Sequence, residues 1–136
     1  MEKTGFVLAF DFGEARIGIA LGNALTKGAR PLCIVDARTN QKKWEEIQKQ
    51  LEAWKPEQLV VGIPSHPDGT SHEITRLALR FARQLKGRTA LPVSLVDERY
   101  SSVLVEKGRE KIDDASAAVI LQQWFDEGCP QKDIGL

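Results

Sequence analysis

A chain of 136 residues can bury one core but is too short for two lobes closing on a ligand, so a single domain over residues 1–127 and a tail at 128–136 are expected. Its 19 basic residues offset its 19 acidic ones, which removes bulk charge as a sign of a nucleic-acid partner and leaves only local clustering to supply one. Cys33 and Cys129 lack the spacing of a zinc site or disulfide framework, and neither a signal peptide nor an apolar run of membrane length is present, so a cytoplasmic protein without a membrane partner is expected.

Three strand-like segments come first, Phe6–Phe12, Ile17–Gly22 and Pro31–Ala37, and their short links favour an antiparallel meander. The period then changes: Trp44, Ile47, Leu51 and Trp54 mark one face of a helix over Gln41–Trp54, with Lys or Glu over much of the rest and Pro56 as its stop. Leu59–Ile63 is a continuous apolar run of the kind found in strands covered on both faces. After a turn at Asp68-Gly69, Thr70-Ser71-His72-Glu73 matches a capping box, and Ile74, Leu77, Ala78, Phe81 and Leu85 form the buried stripe of a second helix that Gly87 is expected to end. Pro92–Val96 makes the fifth strand, and a helix over residues 113–126 should bury Ala117, Leu121, Trp124 and Phe125. Strands joined by helices run parallel through right-handed crossovers. The order therefore predicts an α/β fold whose mixed five-stranded sheet has three antiparallel and then two parallel strands, with the first, fourth and fifth adjacent.

Ligands of open sheets gather at the carboxyl edge of parallel strands, and acids fall there. Asp11 closes the first strand, Asp97-Glu98 follow the fifth, and Asp113-Asp114 open the last helix. A carboxylate on a nearly apolar strand is costly to bury alone, and a divalent cation would neutralise it. Taken singly, each acid also has a plainer role: Asp11 as a turn residue, Glu98 as a partner of Arg99, Asp113 or Asp114 as helix caps. Strand alternation lets only one of Asp97 and Glu98 share the side of Asp11. Arg76, Arg80 and Arg83 recur at i, i+4 and i+7 opposite the second helix's apolar stripe, as a phosphate-contacting rail or, more commonly, a solvated face.

In order along residues 8–122, Phe10-Asp11-Phe12-Gly13 with Arg16-Ile17-Gly18-Ile19-Ala20, Val60-Val61-Gly62-Ile63-Pro64 with Asp68-Gly69, Asp97-Glu98-Arg99, and Asp113 before Ala117 and Ile120-Leu121-Gln122 resemble the YqgF/RuvX family. Its members are bacterial pre-16S rRNA nucleases, also described as Holliday-junction-resolvase-like. The resemblance implies a ribonuclease-H-like fold and carries the family's three acids onto Asp11, Glu98 and Asp113 as catalytic metal ligands, with Asp114 one residue of slip away. Arg16 and Arg99, within the matched motifs, join Arg76, Arg80 and Arg83 as expected nucleic-acid contacts. Glu14 and Ala15 depart from the family, which commonly has a small hydroxyl and often a basic residue there. The segment from Arg99 to Ile112 is also shorter than the family's.

The implied activity is hydrolysis of RNA phosphodiesters with two Mg²⁺ or Mn²⁺ ions, at the 5′ end of pre-16S rRNA in ribosome biogenesis. The small ribosomal subunit then becomes an expected partner, and the chain a monomer or homodimer. Three other readings compete: a resolvase of branched DNA, a non-catalytic nucleic-acid or ribosome-binding module, and the sugar-kinase and actin group, whose Asp-x-Gly element is similar but which needs a longer chain.

Overall fold

Strands β1 (Phe6–Asp11), β2 (Arg16–Asn23) and β3 (Gly28–Asp36) form the antiparallel meander. They are followed by α1 (Asn40–Trp54), β4 (Gln58–Ile63), α2 (His72–Thr89), β5 (Val93–Asp97) and α3 (Asp114–Asp126). The structure, a computed structural model, describes residues 5–13, 15–63, 72–97 and 114–129. The sheet order is β3-β2-β1-β4-β5, with β4 parallel to both β1 and β5, as expected from the crossovers. β1 is central because Val7-Leu8-Ala9-Phe10 can be buried on both faces, and all four are at most 1 % exposed.

The alternation of the strands sorts the core into two layers. Leu8, Phe10 and Phe12, with Ile17, Ile19 and Val61, pack against Ile47 of α1 and Ala78, Phe81 and Leu85 of α2. On the other side, Val7, Ala9, Ala20, Val60 and Val96 meet Ala117, Ile120, Leu121, Trp124 and Phe125 of α3. Asp11 follows Val7 and Ala9 at a period of two, so it belongs to the face that α3 covers.

Gly22 sets how closely α3 approaches the sheet. A Cβ there would lie 2.7 Å from Leu121 Cδ2, 2.8 Å from Phe125 Cε2 and 2.9 Å from the backbone oxygen of Gly28. The side chains could swing away, but the neighbouring strand could not. Gly22→Ala is therefore expected to lower unfolding stability by about 1–3 kcal/mol in urea titration. An unchanged midpoint would mean that α3 does not press on β2.

Two boundaries differ from expectation by two residues or more, each for a local reason. β3 begins at Gly28, not Pro31: the strand passes through the proline with a bulge, because Pro31 pairs with Ala20 and Cys33 with Ile19, leaving Leu32 as the extra residue. An edge strand tolerates a residue without an N–H. α2 runs past Gly87 to Thr89, since an exposed helical glycine costs only about 1 kcal/mol. The helix closes at Ala90, left-handed at φ 61°, whose N–H bonds the Lys86 carbonyl at 2.9 Å. α3 ends at Asp126, as expected, and is capped by the two residues that follow Glu127. Gly128 at φ 89° donates to the Phe125 carbonyl and Cys129 to that of Trp124, so the last carbonyls are satisfied. Asp68-Gly69 and the cap residues Thr70 and Ser71 lie outside the described residues.

Candidate active site

Asp11 is the last residue of β1, and although its neighbours are apolar it is only 2 % exposed. Its cross-strand partners are Gly18 on β2 and Gly62 on β4. Both lack a side chain, so neither adds one next to the carboxylate, while Phe10 and Phe12 turn to the opposite face. The next position across the sheet is Val96, paired with Gly62 and in the layer under α3.

The direction of α3 brings its first residue toward this edge. Leu121 and Phe125 press on Gly22, which pairs with Val7 near the start of β1. From Leu121 back to Asp114 the helix rises about 10 Å, and from Val7 to Asp11 the strand rises about 13 Å. The start of α3 is thus on the same sheet face as Asp11 and toward the same end. Glu98, Asp113 and Arg99 lie outside the described residues, and among the described residues no group of three possible metal ligands comes together.

Arg16 belongs to the Asp11 face: it sits two residues before Gly18 and pairs across with Asp36. It is exposed at the rim of an open hollow of about 420 Å³ bordered by Ala15, Ile34, Asp36 and Arg38. Arg38 is committed there, its guanidinium meeting both Asp36 carboxylate oxygens at 3.1 and 2.9 Å. These bonds and the Arg38 N–H pull the Asp36 carboxyl down to about 2. Among the described residues Arg16 makes no ion pair.

Arg76, Arg80 and Arg83 are exposed along α2, on the far side of the sheet from Asp11. Arg80 lines a cavity of about 260 Å³ between α1 and α2, where Phe12 and Lys43 also contribute. Lys43 was not anticipated as a functional residue. It is 9 % exposed, with its ammonium 5.1 Å from the Trp44 ring and 5.8 Å from that of Phe81. Burial, then the positive charges of Arg88 and Arg80, push its amine below the usual lysine range. The clue in the sequence was helical spacing: Lys43 stands four residues before Ile47, on the apolar stripe and not on the solvated face.

Comparison with known proteins gives the family. A family model described as "RuvX: Holliday junction resolvase" matches residues 5–127. The chain belongs to the RuvX family. A RuvX-family relative from Paraburkholderia xenovorans, named "Putative pre-16S rRNA nuclease", is 54% identical over 127 residues, covering 88% of this chain and 87% of its own. One of the same name from Burkholderia thailandensis is 47% identical over 139 residues, covering 97% and 94%. Among solved structures, Thermus thermophilus RuvC in complex with Holliday junction substrate superposes with a TM-score of 0.55 at 15% identity, over 93% of this chain and 98% of RuvC. At that identity the likeness establishes the ribonuclease-H-like fold alone. The family and fold expected from the motifs are thereby borne out, and this RuvX member is a nuclease, a hydrolase of phosphodiester bonds. No helix among the described residues is long and apolar enough to cross a membrane.

Proposed function

We propose that this RuvX protein cleaves RNA phosphodiesters with divalent metal held by Asp11, Glu98 and Asp113, and that its substrate is the precursor of 16S rRNA, trimmed at the 5′ end during small-subunit assembly in the cytoplasm. The observation that carries the reading is Asp11, a carboxylate buried at the carboxyl end of the central strand between two glycines. A hard, anionic oxygen donor fits Mg²⁺ or Mn²⁺.

The other two acids are supported by placement. Val96 shares the face of Asp11, and counting on by the strand's period of two selects Glu98 over Asp97. The direction of α3 favours an acid from its start, Asp113 by alignment with the family motif and Asp114 by one residue of slip. When bound, the metal supplies charge to activate a water and to stabilise the leaving oxygen. The protein's own work is to hold three carboxylates together and to position the strand. Arg16 on the Asp11 face, with Arg99 and with Arg76, Arg80 and Arg83 along α2, would contact phosphates.

The relatives' name favours RNA, while the family description and the RuvC likeness favour branched DNA as the second reading. Purified protein with Mg²⁺ or Mn²⁺ should cut a 5′ fragment of pre-16S rRNA faster than a four-way DNA junction. Faster junction cleavage would reverse the assignment, and cleavage of neither would remove the nuclease reading. RNA binding that survives both chelation and loss of Asp11, without turnover, would leave a binding module.

A further inference from the structure

We infer that the cavity between α1 and α2 is a phosphate subsite, in which Lys43, with Arg80 and Asn40, takes a backbone phosphate of the nucleic acid other than the one cut at Asp11. This rests on the nuclease reading above for the identity of the ligand, while the cavity's affinity for an anion is argued from the groups that line it.

An ammonium partly withdrawn from water among apolar groups and like charges is stabilised by an anion beside it. The stem of Lys43 is buried while its ammonium opens on the cavity, and among the described residues neither it, Arg80 nor Arg88 pairs with a carboxylate. The charges that act on Lys43 are those of Arg88 and Arg80, both of its own sign. Arg88 is held close by stacking on Trp44, 4.0 Å from the ring centroid. The faces of Trp44 and Phe81 offset part of the cost by cation–π attraction, but they do not supply a negative charge.

The cavity's walls suit the missing partner. Phe12 and Phe81 give it an aromatic side, and Asn40 and Gln84 add amide groups beside Lys43 and Arg80. Asn40 is the first residue of α1, a 15-residue helix with no acid in its first turn to offset the positive end of its dipole. Three sources of positive potential therefore converge on one opening: Lys43, Arg80 and the start of α1.

Its position fits a nucleic acid crossing the sheet edge. Phe12, which lines the cavity, directly follows Asp11 in the chain, and the two side chains turn to opposite faces. A strand cut on the α3 face can continue over the carboxyl end of β1 and set a later phosphate in the α1–α2 cavity. Lys43 would act as a point charge of the kind that positions a strand without reading its sequence.

Two measurements on the full chain in EDTA test this. In the first, amide NMR follows a titration with sodium pyrophosphate against sodium chloride of matched ionic strength. Saturable shifts over residues 39–44 and 80–84 are expected in wild type and absent in Lys43→Met. In the second, fluorescence anisotropy follows a labelled 20-nucleotide RNA. Lys43→Met should bind about fivefold more weakly, with the salt dependence reduced by about 0.7 in log–log slope, while Lys43→Arg stays near wild type. Because Met keeps the apolar stem of Lys43 without a large change of shape, the variant should melt no lower than wild type; if it does not fold, the exposed Arg80→Gln should show the same direction.

Pyrophosphate shifts that match those of chloride, or that persist in Lys43→Met, would overturn the anion site. Pyrophosphate binding with unchanged RNA affinity would overturn the backbone assignment and make the ligand free phosphate. A wild type that cuts RNA while Lys43→Met matches it in both measurements would remove the subsite and keep the nuclease. Saturable pyrophosphate binding by a protein that cuts neither RNA nor DNA would do the reverse.

Discussion

Asp11→Asn should lose RNA cleavage by on the order of 10³-fold while keeping the wild-type fold. Asn has the shape of Asp and the same reach, so the packing under α3 is preserved. What it loses is the negative charge, and the proposed reaction depends on that charge. The main competing role for Asp11 is a structural one, as a hydrogen-bonded residue at the end of β1, and the two roles separate on a second measurement. A carboxylate that holds metal stabilises the folded state only when metal is present, by about 1.4 kcal/mol at ten times the dissociation constant. Wild-type protein should therefore melt higher in Mg²⁺ or Mn²⁺ than in EDTA, and Asp11→Asn should show no such gain. A variant that melts lower than wild type in EDTA, with the metal-dependent gain intact, would assign Asp11 to structure. Full cleavage by Asp11→Asn would sink the proposed site outright.

What could be read in the sequence was governed by distance along the chain. The layers were legible because a period of two or 3.6 is a local signal: Val7, Ala9 and Asp11 on one face, Leu8, Phe10 and Phe12 on the other, and Phe81 and Leu85 on the stripe of α2. Strand order followed from the handedness of crossovers. The start of β3 was not legible, because Gly28-Ala29-Arg30-Pro31 has turn composition, and it becomes a strand only through pairing with Ala20–Asn23. Gly87 misled because its cost as a helical residue is smaller than the gain from another turn closed by Thr89, whose hydroxyl donates to the Leu85 carbonyl at 2.7 Å. Lys43 was hidden by its residue type: lysines on amphipathic helices mostly reach water, and only the approach of Phe81 and Arg88 from α2 encloses this one. The acids were visible as a set only through their order in the family motifs, since Asp11, Glu98 and Asp113 come from three distant segments and each alone has an ordinary structural role.

Phe81 connects the stability of the fold to the position of Asp11, and Phe81→Ala should show both effects. The ring is 1 % exposed, edge-on to Phe10 at 5.7 Å, tilted against Phe12 at 5.3 Å and stacked on Trp44 at 5.6 Å. Truncating a buried phenylalanine costs about 3–5 kcal/mol, which is a large fraction of the roughly 5–15 kcal/mol that holds a domain folded. At about 2–8 °C per kcal/mol for domains of this size range, the melting temperature should fall by at least about 6 °C. Phe81→Leu, which fills most of the space, should cost distinctly less. The second effect is catalytic. Phe12 is braced by Phe81 and is bonded directly to Asp11, so slack at the ring passes through one peptide link to the carboxylate. Measured at a temperature where each variant is fully folded, cleavage by Phe81→Ala should be slower per molecule than by Phe81→Leu. Equal rates would mean that β1 fixes Asp11 without help from the aromatic cluster, and the pairing of Asp11 with Gly18 and Gly62 would then carry the positioning alone.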